Sequence, residues 1–441
     1  MTGGSDTPLS RRLGLWSTTL SGVGIILGAG IYVIIGAATR DAGSAVWLSF
    51  LIAAVLAGMT GLAYAELASM FPFAGASPVY IREAFGRHAG FVLGWVRLSI
   101  SVISASAVAI GFGGYLAGLV DLPVVTAAIA VLALSFAIVV WGIRETIAVA
   151  IVMTLLEAGG LVLVLALGAD ALGSRSLLEM PHGVVGLMTG ASLVFFAFEG
   201  FEQIATLSEE TRDPTRTIPR AILISIATTA GLYILVAITS ASVLPWEELA
   251  ASASPLAEVA RVAAGPTWAN LLAAIALFAT FNTALMMLAT AARRAYGMAN
   301  RHMLPALFGI VGDRRKTPWV AALVLTVCAA AMALVGDIGF AAHTANAAVF
   351  VAFLAVNATV VWLRWKRPGA ERPFRIPLSI GVVPVIPVAA NLGILVLATS
   401  TDPQAILLVL GLLVIGAALA PIVVRQSLRK AKTKTSADLP E

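Results

Sequence analysis

Long apolar runs alternate with short polar connections along the whole chain. About twelve runs are long enough to cross a bilayer, near 13–38, 44–70, 89–119, 123–141, 145–169, 184–207, 218–243, 267–299, 318–336, 338–363, 378–399 and 404–424. A span takes roughly 20 apolar residues. The pattern predicts an all-α integral membrane protein of about 12 transmembrane helices. No connection is long enough to be a separate domain. The chain divides into a polar start (1–12), spans one to five (13–169), spans six to ten (184–363), spans eleven and twelve (378–424) and a basic tail (425–441). The composition of the tail predicts disorder. The first run is long and lacks a clear cleavage site, so a spanning helix is expected there and not a removed signal peptide.

Two of the runs are interrupted. In the first, Gly22-Val23-Gly24-Ile25-Ile26-Leu27-Gly28-Ala29-Gly30-Ile31-Tyr32 places four glycines within nine positions. Glycine costs about 1 kcal/mol against alanine in a helix interior. A freed backbone group in lipid must find a partner, so broken helix survives only against protein or a wet cavity. One half-helix end offers N–H groups to an anion and the other offers carbonyls to a cation. Such a pair suits a small zwitterion. The second reading is a small-residue face for close helix packing.

Span six carries Phe195-Phe196-Ala197-Phe198-Glu199-Gly200-Phe201-Glu202, a glycine and two carboxylates in mid-run. A charge at that depth is costly unless it faces a cavity or a partner. An odd number of spans per unit inverts the second unit, so spans one to five and six to ten can be related by an in-plane pseudo-two-fold axis. Paired broken helices at matching positions of two inverted halves mark a transporter site. Packing glycines alone do not predict that pairing.

Composition agrees with a polytopic protein. The 441 residues are 59% hydrophobic and 12% charged, against about 25% charged in soluble domains. The mean hydropathy is +0.96 and the isoelectric point near 9.6. That basicity is a topology signal, so no nucleic-acid partner is expected. Arg82, Arg87, Arg144, Arg212, Arg216, Arg220, Arg293, Arg294 and the cluster from Arg425 to Lys434 fall on one side with Arg11 and Arg12. Only Arg40, Arg175 and Arg261 fall on the other. The bias places both termini in the cytoplasm and the protein in the cell membrane. The single cysteine, Cys328, allows no internal disulfide or thiol metal cluster. The four histidines are scattered, and no nucleophile, acid–base pair or metal spacing argues for an enzyme or a cofactor.

These stretches resemble the amino acid–polyamine–organocation transporter family, in order and over nearly the whole chain. Gly28-Ala29-Gly30-Ile31-Tyr32 resembles its first-helix signature. Tyr64-Ala65-Glu66-Leu67-Ala68-Ser69, Pro72, Ala74-Gly75 and Phe85-Gly86 resemble the end of its second helix. Phe195 to Glu202, Ser208-Glu209-Glu210, Asp213-Pro214 and Ile218-Pro219-Arg220 resemble its sixth helix and loop. Arg293, Tyr296-Gly297-Met298, Leu304-Pro305 and Pro318 resemble its eighth helix and exit, and Arg367-Pro368 with Arg372 to Pro377 the loop after its tenth. The chain departs from the family at Gly75-Ala76-Ser77-Pro78 and at Met298 to His302. The resemblance implies a LeuT-like fold, a five-plus-five inverted repeat with helices one and six broken. It implies an amino acid or related amine as substrate, carried by alternating access with a coupling proton or sodium ion. Spans eleven and twelve pack outside that core in the family, and a monomer or homodimer embedded in membrane lipid is expected.

The resemblance implies that N–H groups around Gly28, Ala29 and Gly30 hold the substrate carboxylate. Glycine lets the backbone approach a ligand closely. Some relatives carry a serine where Ala29 stands, so recognition is left to the backbone here. The substrate ammonium is expected at carbonyls of Val23 to Ile26, Ile25 and Ile26 included, and of Phe196 to Phe198. Phe198 resembles the aromatic that covers the substrate, or is a core phenylalanine; an aromatic face holds a dry cation by about 2 kcal/mol. Glu199, beside Gly200 in the presumed unwound segment, is a counter-ion for a second amine or a structural group. Glu202, Glu209 and Glu210 are candidate gating residues, with Arg293 as partner, or a solvated helix end. Glu157, deep in span five, is the candidate ion-coupling residue. It takes up a proton, ligates sodium, or pairs with Arg97. Asn282 and Thr283 line the site, join the ion position or pack against a neighbour. His343 and Asn346 are read as bland.

Overall fold

A computed structural model of the chain describes residues 13–72, 76–141, 143–300, 304–312, 317–334 and 337–437. Of the stretches used above, the polar start 1–12 with Arg11 and Arg12, Ala74-Gly75 and Arg301-His302 lie outside the described residues. For residues 143–151, Glu209 and residues 426–437 the backbone alone is described.

The first apolar run is two helices, α1 (Leu15–Leu27) and α2 (Gly30–Ala42). After it come α3 (Val46–Met70), α4 (Ala76–Phe85), α5 (Arg87–Ala117), α6 (Val124–Trp141) and α7 (Ile143–Gly168). The sixth run is α8 (Gly183–Val194) continued by two 3-10 stretches, Phe195–Phe198 and Phe201–Glu209. There follow α9 (Pro214–Val243), two short helices α10 (Trp246–Ala251) and α11 (Pro255–Ala264), α12 (Pro266–Asn300), α13 (Trp319–Ala333) and α14 (Ile338–Lys366). A two-residue hairpin, β1 (Ser379–Ile380) and β2 (Val383–Pro384), precedes α15 (Val385–Thr399) and α16 (Pro403–Ala437).

Among the described residues, nine helical stretches are long and apolar enough to cross a membrane, and α1, α13 and α15 are shorter apolar helices. Helix α5 lies at the centre, against α6, α12, α13, α14 and α16. Helix α1 packs on α9, α2 on α8, and α3 on both α8 and α9. Close approach of α1 uses two of its glycines. A Cβ on Gly22 would sit 2.5 Å from the side chains of Ile204 and Ser225, and one on Gly24 2.7 Å from Thr154. The packing reading therefore applies to these two positions and leaves Gly28 and Gly30 to be explained otherwise.

Two boundaries differ from the sequence expectation. The eleventh run was expected to be helical from residue 378, but Leu378 (φ +60°) and Gly381 (φ +61°) turn the chain into the hairpin and the helix starts at Val385. The tail was expected to be disordered, but α16 continues to Ala437. Its tail portion, Ser427-Leu428-Arg429-Lys430-Ala431-Lys432, is rich in good helix formers, which outweigh the charge.

A buried ion cluster closes one end of the bundle. The Arg364 guanidinium on α14 donates from Nε and Nη2 to the two oxygens of Glu66 on α3, at 2.9 and 2.5 Å. The Glu66 carboxylate also accepts the Ile376 N–H at 2.9 Å. Bidentate guanidinium–carboxylate pairs hold geometry as well as charge. The Arg367–Pro377 connection is thereby clamped to the end of α3.

Candidate functional site

Both interruptions fall at the glycines. Helix α1 ends at Leu27, and Gly28 takes φ +21° and ψ −165°, a conformation that needs a residue without Cβ. Helix α2 restarts at Gly30 with Ala29 before it. The Tyr233 hydroxyl on α9 donates to the freed carbonyls of Ile26 and Leu27, at 2.9 and 2.7 Å. The Ala29 N–H donates to Thr283 Oγ1 on α12 at 2.9 Å. The N–H groups of Gly30, Ile31 and Tyr32 stand in the first turn of α2, where no intrahelical acceptor exists.

The second interruption is held by charge. After Phe198 the chain is extended at Glu199 and left-handed at Gly200, φ +119°. Glu202 Oε2 accepts the Gly200 N–H at 3.0 Å, and Oε1 accepts from Arg97 Nη1 at 2.8 Å. Arg97 also donates to the hydroxyls of Tyr64 and Ser77. Glu199 Oε2 accepts the Ser104 hydroxyl at 2.8 Å. Arg294 on α12 donates to the Arg97 carbonyl and to Ser101 Oγ. Arg97, Ser101 and Ser104 share one face of α5 at helical spacing. The Asn346 amide on α14 donates to the carbonyls of Ser192 and Leu193 at the end of α8, so this residue does work that its depth alone did not suggest.

The two interruptions touch. A Cβ added to Gly30 would lie 2.6 Å from Ala197 Cα, and one added to Gly200 would lie 3.0 Å from the Ile25 carbonyl oxygen. Beside this contact is a cavity of about 590 Å³, a size that suits a small molecule. Ile25, Ile26, Gly28, Ala29 and Gly30 form one wall, and Phe196, Ala197 and Glu199 another. Thr154 on α7 and Asn282, Thr283, Met286, Met287 and Thr290 on α12 complete it. Leu20, Ser21 and Leu155 also line it. Leu20 and Leu155 are 70% and 71% exposed, so the cavity reaches the surface beside the N-terminal half of α1.

The predicted site residues are thus divided. Ile25, Ile26, Gly28, Ala29, Gly30 and Glu199 line the cavity. Gly200 stands behind it, against Ile25. Phe198 is fully buried with its ring edge-on to Tyr233, centroids 5.5 Å apart. The aromatic in the cavity wall is Phe196. Glu157 is buried one layer out. Its Oε1 accepts the Asn282 amide at 2.9 Å, its main-chain carbonyl accepts the Tyr32 hydroxyl at 2.6 Å, and its Oε2 has no donor among the described residues. The pairing of Glu157 with Arg97 does not occur, because Arg97 faces the second interruption and takes Glu202. Two further arginines, Arg294 and Arg364, lie in α12 and α14.

Glu202 is buried in that ion pair, away from any mouth. Glu210 is exposed, and Arg293 makes no ion pair among the described residues. The main chain at this end is tied instead. Leu13 N–H donates to the Glu210 carbonyl at 3.0 Å, and Arg212 N–H to the Leu13 carbonyl at 2.8 Å. Among the described residues no three metal-ligating side chains cluster. Sequence reasoning missed Tyr233, Ser104 and Gln203, the last of which also lines the cavity. The signal for Ser104 was present, as the polar stripe Arg97-Ser101-Ser104 in an apolar run. Tyr233, one hydroxyl among several in span seven, gave none.

The sequence matches the amino acid permease family over residues 13–418. It is similar to the branched-chain amino acid permease of Bacillus subtilis, 30% identical over 406 residues, covering 87% of this chain and 86% of that one. An uncharacterized transporter of Mycobacterium tuberculosis is 34% identical over 439 residues, 98% of this chain and 95% of its own. Cationic amino acid transporter 4 of Mus musculus is 30% identical over 396 residues, 82% of this chain and 61% of the longer relative.

Proposed function

The chain belongs to the amino acid permease family, and from that premise we propose that it is a secondary active transporter that carries an amino acid across the cell membrane by alternating access. One observation carries the proposal: a cavity of small-molecule size lies where two interrupted helices meet. Interrupted helices at mid-membrane serve substrate sites in transporters. The N–H groups around Gly28 and Gly30, where α2 begins, hold the substrate carboxylate, that of Ala29 being already given to Thr283. The carbonyls of Ile25, Ile26 and the Phe196–Phe198 turn face its ammonium. Phe196 covers it. The cavity mouth lies beside the N-terminal half of α1, the end that the arginine bias along the sequence assigns to the cytoplasm, so this conformation opens to the cytoplasm.

The wider architecture follows the same reading. Twelve spans, with α1–α2 and α8 plus its 3-10 continuation as the first and sixth, form two inverted units of five and an outer pair. Both termini are cytoplasmic. Rocking of the spans that carry the interruptions exposes the cavity to each side in turn. Glu202 acts in this motion as the tie between α5 and the sixth span, and Glu209 and Glu210 lie at its cytoplasmic end.

Glu199 favours a zwitterion without extra charge. It interacts electrostatically with Arg97, Arg294 and Glu202, and the formal charges of these four groups cancel. A cationic substrate is the second reading, because Glu199 lines the cavity and one of its oxygens has no donor among the described residues. Uptake into vesicles by wild type and Glu199→Gln separates them. Retained uptake of neutral amino acids supports the first, and loss confined to cationic ones the second.

Glu157 is the group for coupling. It is sealed from water with one oxygen unbonded, and a single proton neutralises such a carboxylate. In reconstituted vesicles, an inward proton gradient should concentrate substrate and a sodium gradient should not. Glu157→Gln should abolish concentration while leaving exchange intact. Accumulation driven by sodium alone would sink proton coupling.

A further inference from the structure

Thr283 is placed unlike Thr280 and Thr290 of the same helix. The hydroxyls of Thr280 and Thr290 donate back to the carbonyls of Ala276 and Met286, each four residues earlier. That is the ordinary fate of a threonine in a helix. The Thr283 hydroxyl has no such bond. It accepts the Ala29 N–H across the cavity at 2.9 Å, and among the described residues it donates to nothing. Its oxygen stands 3.1 Å from where a Cβ on Gly28 would be, so it is seated directly on the first interruption. It also lines the cavity. The neighbouring Asn282 lines the same wall, is 5% exposed, and has no donor to its Oδ1 among the described residues. This wall therefore holds polar capacity that the protein itself does not use.

We infer that Thr283 is a specificity-determining residue that donates its hydroxyl proton to the carboxylate of the substrate. The inference rests on the transporter reading above and deepens it. A hydroxyl that accepts from a backbone N–H is polarised, and becomes a better donor to an anion. The N–H groups of Gly30 and Ile31 supply the other donors. Ala29 offers only its backbone, and the side-chain hydroxyl reaches the same spot from α12. Two spans then share the carboxylate, so a bound substrate bridges the first interruption to the helix opposite.

The test compares an amino acid with its methyl ester. Binding of the twenty common L-amino acids is first measured on the purified full chain, and the tightest is carried forward with its ester. Thr283→Val keeps the shape and removes the hydroxyl. It should weaken binding of the amino acid roughly ten- to hundredfold, the usual worth of a hydrogen bond to a charged group. The ester, which has no carboxylate, should bind weakly and equally to both proteins. Thr283→Ser should behave as wild type. If Thr283→Val fails to fold, Thr283→Ala is measured in the same way. Unchanged amino acid binding in the valine or alanine variant overturns the inference alone. Equal loss for acid and ester also overturns it, because the role is then structural. If wild type binds no amino acid, the transporter reading falls and takes this inference with it.

Discussion

The two interruptions solve one problem in different ways. Each frees backbone groups within an apolar run. At the first, hydroxyls cover part of what is freed. Tyr233 serves Ile26 and Leu27, Thr283 serves Ala29, and among the described residues no ionised side chain takes part. At the second, a carboxylate and a guanidinium do the work, with Glu202 bridging the Gly200 N–H to Arg97. The difference suits different tasks. The charged tie is satisfied within the protein and fixes shape. The neutral one leaves first-turn N–H groups of α2 unspent next to a cavity, where a ligand can complete them. The likeness is that each interruption has a glycine pressed against the other.

The charged side should break hardest. Glu202→Ala leaves Arg97 buried without its counter-charge, which costs about 3–5 kcal/mol in such settings. A large fall in the Tm of purified protein is expected. Arg97→Met combined with Glu202→Leu should recover much of it, because an apolar pair replaces a buried ion pair at little cost. Failure of the double variant to recover would mean that the Gly200 N–H, not the charge balance, is what Glu202 secures.

Gly30→Ala tests the contact between the two interruptions. Its methyl would meet Ala197 Cα at 2.6 Å, and overpacking of this kind costs typically 1–3 kcal/mol. Uptake should fall much further than stability does, since the strain sits between the halves that must rearrange. Tyr233→Phe should cost less, about 1–2 kcal/mol by Tm, from two carbonyls that lose their donor. A silent phenylalanine would show that water replaces the hydroxyl.

The smallest effect lies outside both regions. Glu258 on α11 is paired with Arg261, which holds its carboxyl below the usual range. A depressed value stabilises the fold above the unfolded-state value, and that contribution disappears as the pH falls through the folded-state value. Glu258→Gln should erase only this acid-side dependence of Tm and leave uptake unchanged.

The sequence made the interruptions legible because glycine in an apolar run has few other uses, and because Glu199, Gly200 and Glu202 stand out there. Which groups meet across the bundle was not legible. Run boundaries give the depth of Arg97 and of Glu157, but not the direction each faces, so Glu202 and not Glu157 proved to be the partner. Phe196 and Phe198 were confusable for a related reason. Both lie in a 3-10 stretch that ends at Phe198, so α-helical periodicity no longer says which ring faces the cavity. The tail was misjudged because its charge was weighed above its helix-forming residues.

The most direct test of the central claim, that the neutral interruption reads an amino acid carboxylate, is competition. A labelled amino acid bound to wild-type protein is displaced by its unlabelled form, its methyl ester and the amine that lacks the carboxyl group. Displacement by the amino acid alone at low concentration is the expected result. Equal displacement by the amine would contradict the claim and move recognition to the second interruption.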